Sequence, residues 1–230
     1  MKDILELKNV KKQYKGNTVV NGLSFTVEQG SVFALLGANG AGKTTTIKMI
    51  LGLTPLNGGE IIREENVKIG YSPETPFFPP FLTGIEVLDY YAAVQKTDKK
   101  IRQDETRKLL ELVGLEVNKT KVKNYSKGML QRLALAQCLI GDPELLILDE
   151  PTAGLDALGR THMMNLLLRL KEEGKTIIIN SHILSDVERI CDRGVILKKG
   201  EVVGTWNGKE EHKQSLEEMF LALVETGEEI

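Results

Sequence analysis

Apolar residues change their spacing three times along the chain. Up to position 36 they come in short runs: Ile4, Leu5 and Leu7 lead in, and clusters at 18–20, 23–27 and 32–36 follow. Lys15-Gly16-Asn17, Asn21-Gly22 and Gln29-Gly30 separate these runs, a pattern that predicts strands divided by turns. Positions 43–51 pass without a breaker and stop at Gly52, predicting a helix that directly follows the strand at 32–36. Pro73, Pro76, Pro79 and Pro80 then exclude a helix or an inner strand and leave an irregular connector. Beyond it, 85–94, 102–113 and 127–140 repeat apolar residues at intervals of three and four, the period of amphipathic helices. From Leu145 short strands and helices alternate: strands at 145–148, 176–179, 195–197 and 202–203, helices at 160–173 and 185–191, and a last short helix at 215–224. No internal repeat is visible.

Strands that alternate with helices imply right-handed crossovers and a mainly parallel sheet, so an α/β fold is expected, with a β-rich opening and a helical insert. The chain has 230 residues, 41% of them hydrophobic and 27% charged, enough to bury a sizeable core and unlike a disordered chain. A net charge of −2 carries no polyanion-binding signature, and Lys119, Lys121, Lys123 and Lys127 read as a solvated face; no nucleic-acid partner is expected. Cys138 and Cys191 stand far apart in no metal-binding pair and read as small core residues, which suits a reducing compartment. His162 and His212 lack metal-ligand spacing. The first ten residues interleave charge with apolar side chains, unlike a signal peptide. No apolar run approaches the ~18–20 residues of a membrane-spanning helix, so work at a membrane would require a partner to do the spanning.

The sharpest chemical signal is Gly37-Ala38-Asn39-Gly40-Ala41-Gly42-Lys43-Thr44, a G-x-x-x-x-G-K-[ST] pattern between a predicted strand and a predicted helix. Small residues let backbone N–H groups turn inward around phosphate oxygens, the helix start presents its positive dipole end, Lys43 adds a point charge and Thr44 is placed to ligate Mg²⁺. A second signal is the apolar strand that ends in Asp149 and Glu150. In an open parallel sheet, ligands bind beyond the carboxyl ends of strands, so this pair is expected to face the glycine loop. Asp149 suits a metal and Glu150 suits a general base for water, although taken alone the pair reads equally well as two solvated acids. A third is Tyr125-Ser126-Lys127-Gly128-Met129, where Ser126 fits a helix N-cap and the following N–H groups suit an anion; alone it reads as an ordinary capped helix.

In their order, these motifs resemble those of the ATP-binding cassette (ABC) ATPases, and the resemblance spans essentially the whole chain. Residues 37–44 are similar to the Walker A loop, 125–129 to the signature motif, 145–150 to Walker B, Ala153-Gly154-Leu155-Asp156 to the D-loop and Asn180-Ser181-His182 to the switch-histidine loop. The resemblance implies the ABC ATPase fold: a single domain over 1–230, with a P-loop core at 1–74 and 143–230 that includes an antiparallel N-terminal β part. Residues 75–142 would form a connector and a helical subdomain. It implies ATP bound through Gly37 to Thr44 and Thr45, adenine stacked on Tyr14, Mg²⁺ held by Thr44, Asp149 and Glu74, and hydrolysis by Glu150, His182 and Lys43.

It also implies a pair of cassettes, identical or related, in which Ser126, Lys127 and Gly128 of one copy reach the nucleotide of the other and Asp156 communicates across the interface. The expected partner is a membrane-spanning permease, which places the chain at the cytoplasmic face of the cell membrane, and the tail resembles the subgroup paired with exporters of drugs, ions or lipids. A soluble member serving an assembly such as an iron–sulfur scaffold is the alternative. Two departures stand out: Tyr-Ser-Lys-Gly-Met replaces the common Leu-Ser-Gly-Gly-Gln, and Glu74 occupies the place of a glutamine that touches metal and permease.

Overall fold

The structure is a computed structural model that describes residues 2–95, 98–208 and 215–225; His212 lies outside the described residues. Strands β1 (Asp3–Tyr14), β2 (Asn17–Glu28) and β4 (Gly58–Arg63) form an antiparallel sheet in the order β2-β1-β4. The second sheet runs β5 (Ile69–Ser72), β6 (Leu145–Asp149), β7 (Thr176–Asn180), β3 (Val32–Gly37), β8 (Arg193–Lys198), β9 (Glu201–Asn207). Its pairings are parallel except β8 with β9. The helices are α1 (Lys43–Ile50), α2 (Gly84–Val94), α3 (Lys99–Leu112), α4 (Lys127–Cys138), α5 (Ala157–Glu172), α6 (Leu184–Ile190) and α7 (Leu216–Glu225).

Every residue of β3, β6 and β7 is buried. Successive side chains of a strand point to opposite faces, so these near-continuous apolar runs feed two cores at once. Phe33, Leu35, Leu145, Ile147 and Ile178 pack with α1 and the antiparallel sheet. Ala34, Leu36, Leu146, Leu148, Ile177 and Ile179 pack on the other face with α2, α4, α5 and α6. Cys138 and Cys191 are both buried and unpaired, as expected of small core residues. Among the described residues, no helix is long and apolar enough to cross a membrane.

One local expectation is corrected, and two strands were not anticipated. Asn21-Gly22 is not a turn: β2 runs through it, with Gly22 at φ 74° where β1 and β2 slip register between Val10 and Lys11. A bulge and a turn use the same residues, because both need a backbone that side chains resist. β4 went unread because none of its residues is fully buried, so it carries no apolar alternation. β5 is only four residues long and holds a glycine at its second position. The helix starts, by contrast, are written locally. Thr83 caps α2 in a reciprocal box with Glu86, and Ser126 and Asp156 accept from the third N–H of α4 and α5.

The glycine in β5 has a packing reason. A Cβ at Gly70 would stand 2.1 Å from the carbonyl oxygen of Cys138, so β5 and the end of α4 meet backbone to backbone. Gly70→Ala is expected to lower unfolding stability by about 1–3 kcal/mol in urea titration, through overpacking rather than through backbone strain. An unchanged midpoint would show that α4 and β5 are not in contact at this point.

Candidate functional site

The loop from β3 to α1 is shaped by what surrounds it. Gly37 closes β3 at φ 151°, and a Cβ there would lie 2.5 Å from the Leu197 carbonyl and 2.9 Å from the Ala41 methyl. Gly42 precedes α1 at φ 101°, where a Cβ would approach the Val19 carbonyl to 2.9 Å. No side chain caps α1, so the N-terminal N–H groups and the positive end of its dipole are left for an anion. Lys43 starts the helix and folds back beneath the loop, its Nζ donating to the carbonyls of Gly37 at 2.6 Å and Ala38 at 3.0 Å. Only 8% of it is exposed. Burial pulls its pKa below the ordinary lysine value, while the negative charges of Glu150, Asp149 and Glu74 oppose that shift.

Asp149 ends β6 directly opposite Asn180, the last residue of β7, and Asn180 Nδ2 donates to its Oδ1 at 2.5 Å. Burial raises the Asp149 pKa, the Asn180 hydrogen bond opposes the rise, and the Glu74 charge reinforces it. Glu150 adopts φ 51°, a left-handed conformation that a glutamate does not take without cost. Its N–H donates to the Asn180 carbonyl at 2.8 Å, which turns the chain sharply at the sheet edge. The carboxylate is buried, and His182 Nδ1 stands 2.8 Å from its Oε2. That approach is close but poorly aligned, so Oε2 is left without a directed hydrogen bond, as is Asn180 Oδ1. Burial raises the Glu150 pKa and the neighbouring His182 holds it down.

The loop, Glu150, Asn180 and His182 open onto one cleft of about 510 Å³, lined by Val19, Gly37, Ala38, Asn39, Gly40, Ala41, Gly42, Lys43, Thr44, Thr45, Glu74, Glu150, Asn180, His182 and Phe220, while Asp149 is buried behind this lining and not part of it. The structure thus brings the glycine loop, both strand-end motifs and Glu74 together. Tyr14 stands outside the lining, near the end of β1, with Lys12 Nζ 4.9 Å from its ring centroid and its hydroxyl 3.4 Å from Thr54 Oγ1. Ser126, Lys127, Gly128 and Asp156 also lie outside it, and the two loops that carry them touch: Gly128 meets Leu155, and the Lys127 side chain covers Gly154. Val19 and Phe220 were not anticipated, since apolar residues in a strand and in a terminal helix carry no chemical signal. Asn180 could have been found from its place at the end of an apolar strand, one strand over from Asp149.

Mg²⁺ fits the donors present only as a shared ion. Thr44, Asp149 and Glu74 offer hard oxygen ligands, and the charges of Glu150, Asp149 and Glu74 act on the Lys43 ammonium, with Lys48 also acting on Asp149; a divalent cation adds positive charge to this cluster. Among the described residues no group of three or more His, Cys, Asp or Glu is placed to hold a metal without help. Such a partial set suits an ion that takes its remaining ligands from phosphate and water.

The sequence profile of the ABC transporter family matches residues 20–153. The uncharacterized ABC transporter ATP-binding protein YhcH of Bacillus subtilis is 44% identical over 99% of this chain and 78% of its own length. The bacitracin transport ATP-binding protein BcrA of Enterococcus faecalis is 40% identical over 94% of this chain and 73% of its own. Among solved structures, the dimeric post-hydrolysis state of the ATP-binding cassette MJ0796 with ADP and Pi superposes with a TM-score of 0.81 at 25% identity, covering 90% of this chain and all of that one. The five motifs, the sheet order that gathers three of them at one cleft and these likenesses agree: the chain belongs to the ABC transporter family, as one of its nucleotide-binding ATPase subunits.

Proposed function

We propose that this ATPase subunit works as one of two cassettes that enclose ATP between them and drive a separate membrane-spanning permease. The observation that carries the reading is the burial of Lys43 beneath the phosphate loop amid Glu150, Asp149 and Glu74. Backbone N–H groups of the loop and Lys43 bind the β- and γ-phosphates, and Thr45 lines the same wall. Tyr14 offers an exposed ring face to the adenine from the rim. Thr44 and Asp149, joined by Glu74, would hold Mg²⁺, which supplies neutralisation of charge on the phosphate oxygens.

Glu150 takes a proton from the attacking water. Its carboxylate is buried with Oε2 2.8 Å from His182 Nδ1, and a pKa raised by burial makes it a stronger base than a solvated glutamate. His182, beside this carboxylate and lining the same cleft, orients the water. Ser126 and Lys127 are exposed and remote from their own cleft, which supports their acting, with Gly128, on the nucleotide of the other cassette; Asp156 sits beside them for the same interface. The dimeric form of MJ0796 supports this two-copy arrangement. In the same reading, 1–74 and 143–230 are the nucleotide core, and 75–142 is the connector and helical subdomain that passes motion to the permease. The likeness to BcrA, a transport ATP-binding protein, supports a transporter role and with it a peripheral place on the cytoplasmic face of the membrane; the exporter-type permease rests on the resemblance of the tail.

Three outcomes test this reading. Lys43→Ala is expected to abolish measurable ATP affinity in a fluorescence titration, a loss of at least about 10-fold from one charge-assisted phosphate contact; retained affinity would defeat the phosphate assignment. Glu150→Gln is expected to reduce phosphate release by about 10²–10⁴-fold while an ATP-bound dimer accumulates in size-exclusion chromatography, and undiminished turnover would reject its role as base.

The same variant has a stability signature. Because burial raises the Glu150 pKa, the folded state holds that proton more tightly than the unfolded chain does. The stability from the protonated form is complete below the unfolded pKa and disappears as pH rises through the folded one. Glu150→Gln removes this penalty, so its Tm should exceed that of the unaltered protein at pH 8, with the gain vanishing below about pH 4. A lower Tm at pH 8 would contradict the burial cost.

A further inference from the structure

α6 starts two residues after His182, and its third residue, Asp186, is an acid only 7% exposed. An acid in a first helical turn ordinarily faces its own helix N–H groups. Asp186 instead points across to the segment that leaves β6. Its Oδ2 accepts from Thr152 Oγ1 at 2.9 Å, and its Oδ1 accepts from Arg160 Nε at 2.8 Å and lies 2.7 Å from Arg160 Nη2. Arg160 Nη2 also donates to Ser185 Oγ at 2.9 Å.

The two residues held by this carboxylate bracket the D-loop: Thr152 precedes Ala153 and Arg160 lies in the first turn of α5. The loop between them has its own turns, with Ala153 N–H donating to the Glu150 carbonyl at 3.1 Å and Leu155 N–H to the Thr152 carbonyl at 3.2 Å. Asp156 is occupied as the α5 cap, accepting from Gly159 N–H at 2.7 Å. One buried carboxylate therefore fixes the exit of β6, where Glu150 turns, to the exit of β7, where His182 turns. Removing one partner from such a buried cluster leaves the other without compensation.

We infer that Asp186 is a positioning residue for ATP hydrolysis: by gripping Thr152 and Arg160 it holds the D-loop and Glu150 in register with His182, so that the site and the cassette interface move as one piece. This rests on the proposed two-cassette reading of the site. It assigns Asp186 no contact with nucleotide, so binding is left intact while the chemical step is misaligned, and small misplacements of reacting groups reduce rates steeply.

The test is steady-state ATP hydrolysis and nucleotide titration of purified Asp186→Asn, Arg160→Gln and the double variant, beside the unaltered protein. Asp186→Asn keeps an acceptor for Thr152 but loses the charge that holds Arg160. The expected result is a fall in kcat of at least about 10-fold, an ATP Kd within about twofold, and a lower Hill coefficient for hydrolysis. The double variant should be no slower than the worse single one, the mark of two residues acting through one contact. If Asp186→Asn does not fold, Arg160→Gln alone carries the same expectation, since its side chain is 35% exposed and tolerates change. Folded variants with kcat within about twofold of the unaltered protein, losses that multiply, or a matching loss of nucleotide affinity would each overturn the inference. Hydrolysis by the unaltered protein tests the underlying reading separately, because its absence would reject that reading before any variant is compared.

Discussion

The site exists because three inner strands are apolar to their last residue and polar immediately beyond it. β3, β6 and β7 lie side by side, buried along their whole length, and they run in the same direction. Parallel pairing sends all their carboxyl ends to one edge. The residues at that edge are Gly37, Asp149 and Asn180, followed by the phosphate loop, Glu150 and His182. Antiparallel pairing of the same strands would scatter these groups over both ends of the sheet. The apolar alternation that fills two cores is therefore also what gathers the chemistry.

Placing charge at the rim of so apolar a sheet has an energetic consequence. Lys43, Asp149 and Glu150 all shift in the direction that burial dictates, toward the neutral form. Their mutual attractions offset part of that penalty, and the backbone carbonyls of Gly37 and Ala38 satisfy the ammonium. Among the described residues three buried acceptors lack directed partners; Glu150 Oε2 and Asn180 Oδ1 belong to residues that line the cleft, Gln131 Oε1 lies on α4, and Glu150 also carries a strained backbone. Strain and unpaired acceptors persist only where the surrounding structure over-determines them. Here the hydrogen bond from Glu150 N–H to Asn180 and the grip of Asp186 on Thr152 supply that constraint.

Much of this was legible along the chain because its signals are local. Glycine at 37, 40 and 42, the Lys43-Thr44 pair, the acids after 145–148 and the capping residue Ser126 each act within a few positions of themselves. What stayed hidden depends on neighbours far away in sequence. Gly70 is required by Cys138, Gly42 by Val19, and Asn21-Gly22 is a bulge only because β1 slips past it. β4 packs as a largely exposed edge and leaves no apolar period to detect. Tyr14, which resembles a family's adenine platform, stands outside the cleft lining, with Lys12 Nζ 4.9 Å from its ring centroid and its hydroxyl 3.4 Å from Thr54 Oγ1, a setting that the sequence does not display. Asp186 escaped notice because a single acid four positions past a histidine acquires meaning only through Thr152 and Arg160.

The glutamate at position 74 shows why backbone and side chain must be weighed separately. Gln131, only 1% exposed on α4, donates from Nε2 to the Glu74 carbonyl at 2.9 Å, and one strand earlier Gly70 lies against the end of the same helix. The segment carrying Glu74 is thus fastened to α4 at two points by main-chain atoms, and α4 begins at Ser126. Exchanging a glutamine for a glutamate leaves both attachments untouched, because neither uses the side chain at 74. What changes is charge: a carboxylate at this place reinforces the raised pKa of Asp149 and opposes the lowering of Lys43. The attachment of this segment to α4 is therefore indifferent to the departure from the family pattern, and its effect falls on the electrostatics of Lys43 and Asp149.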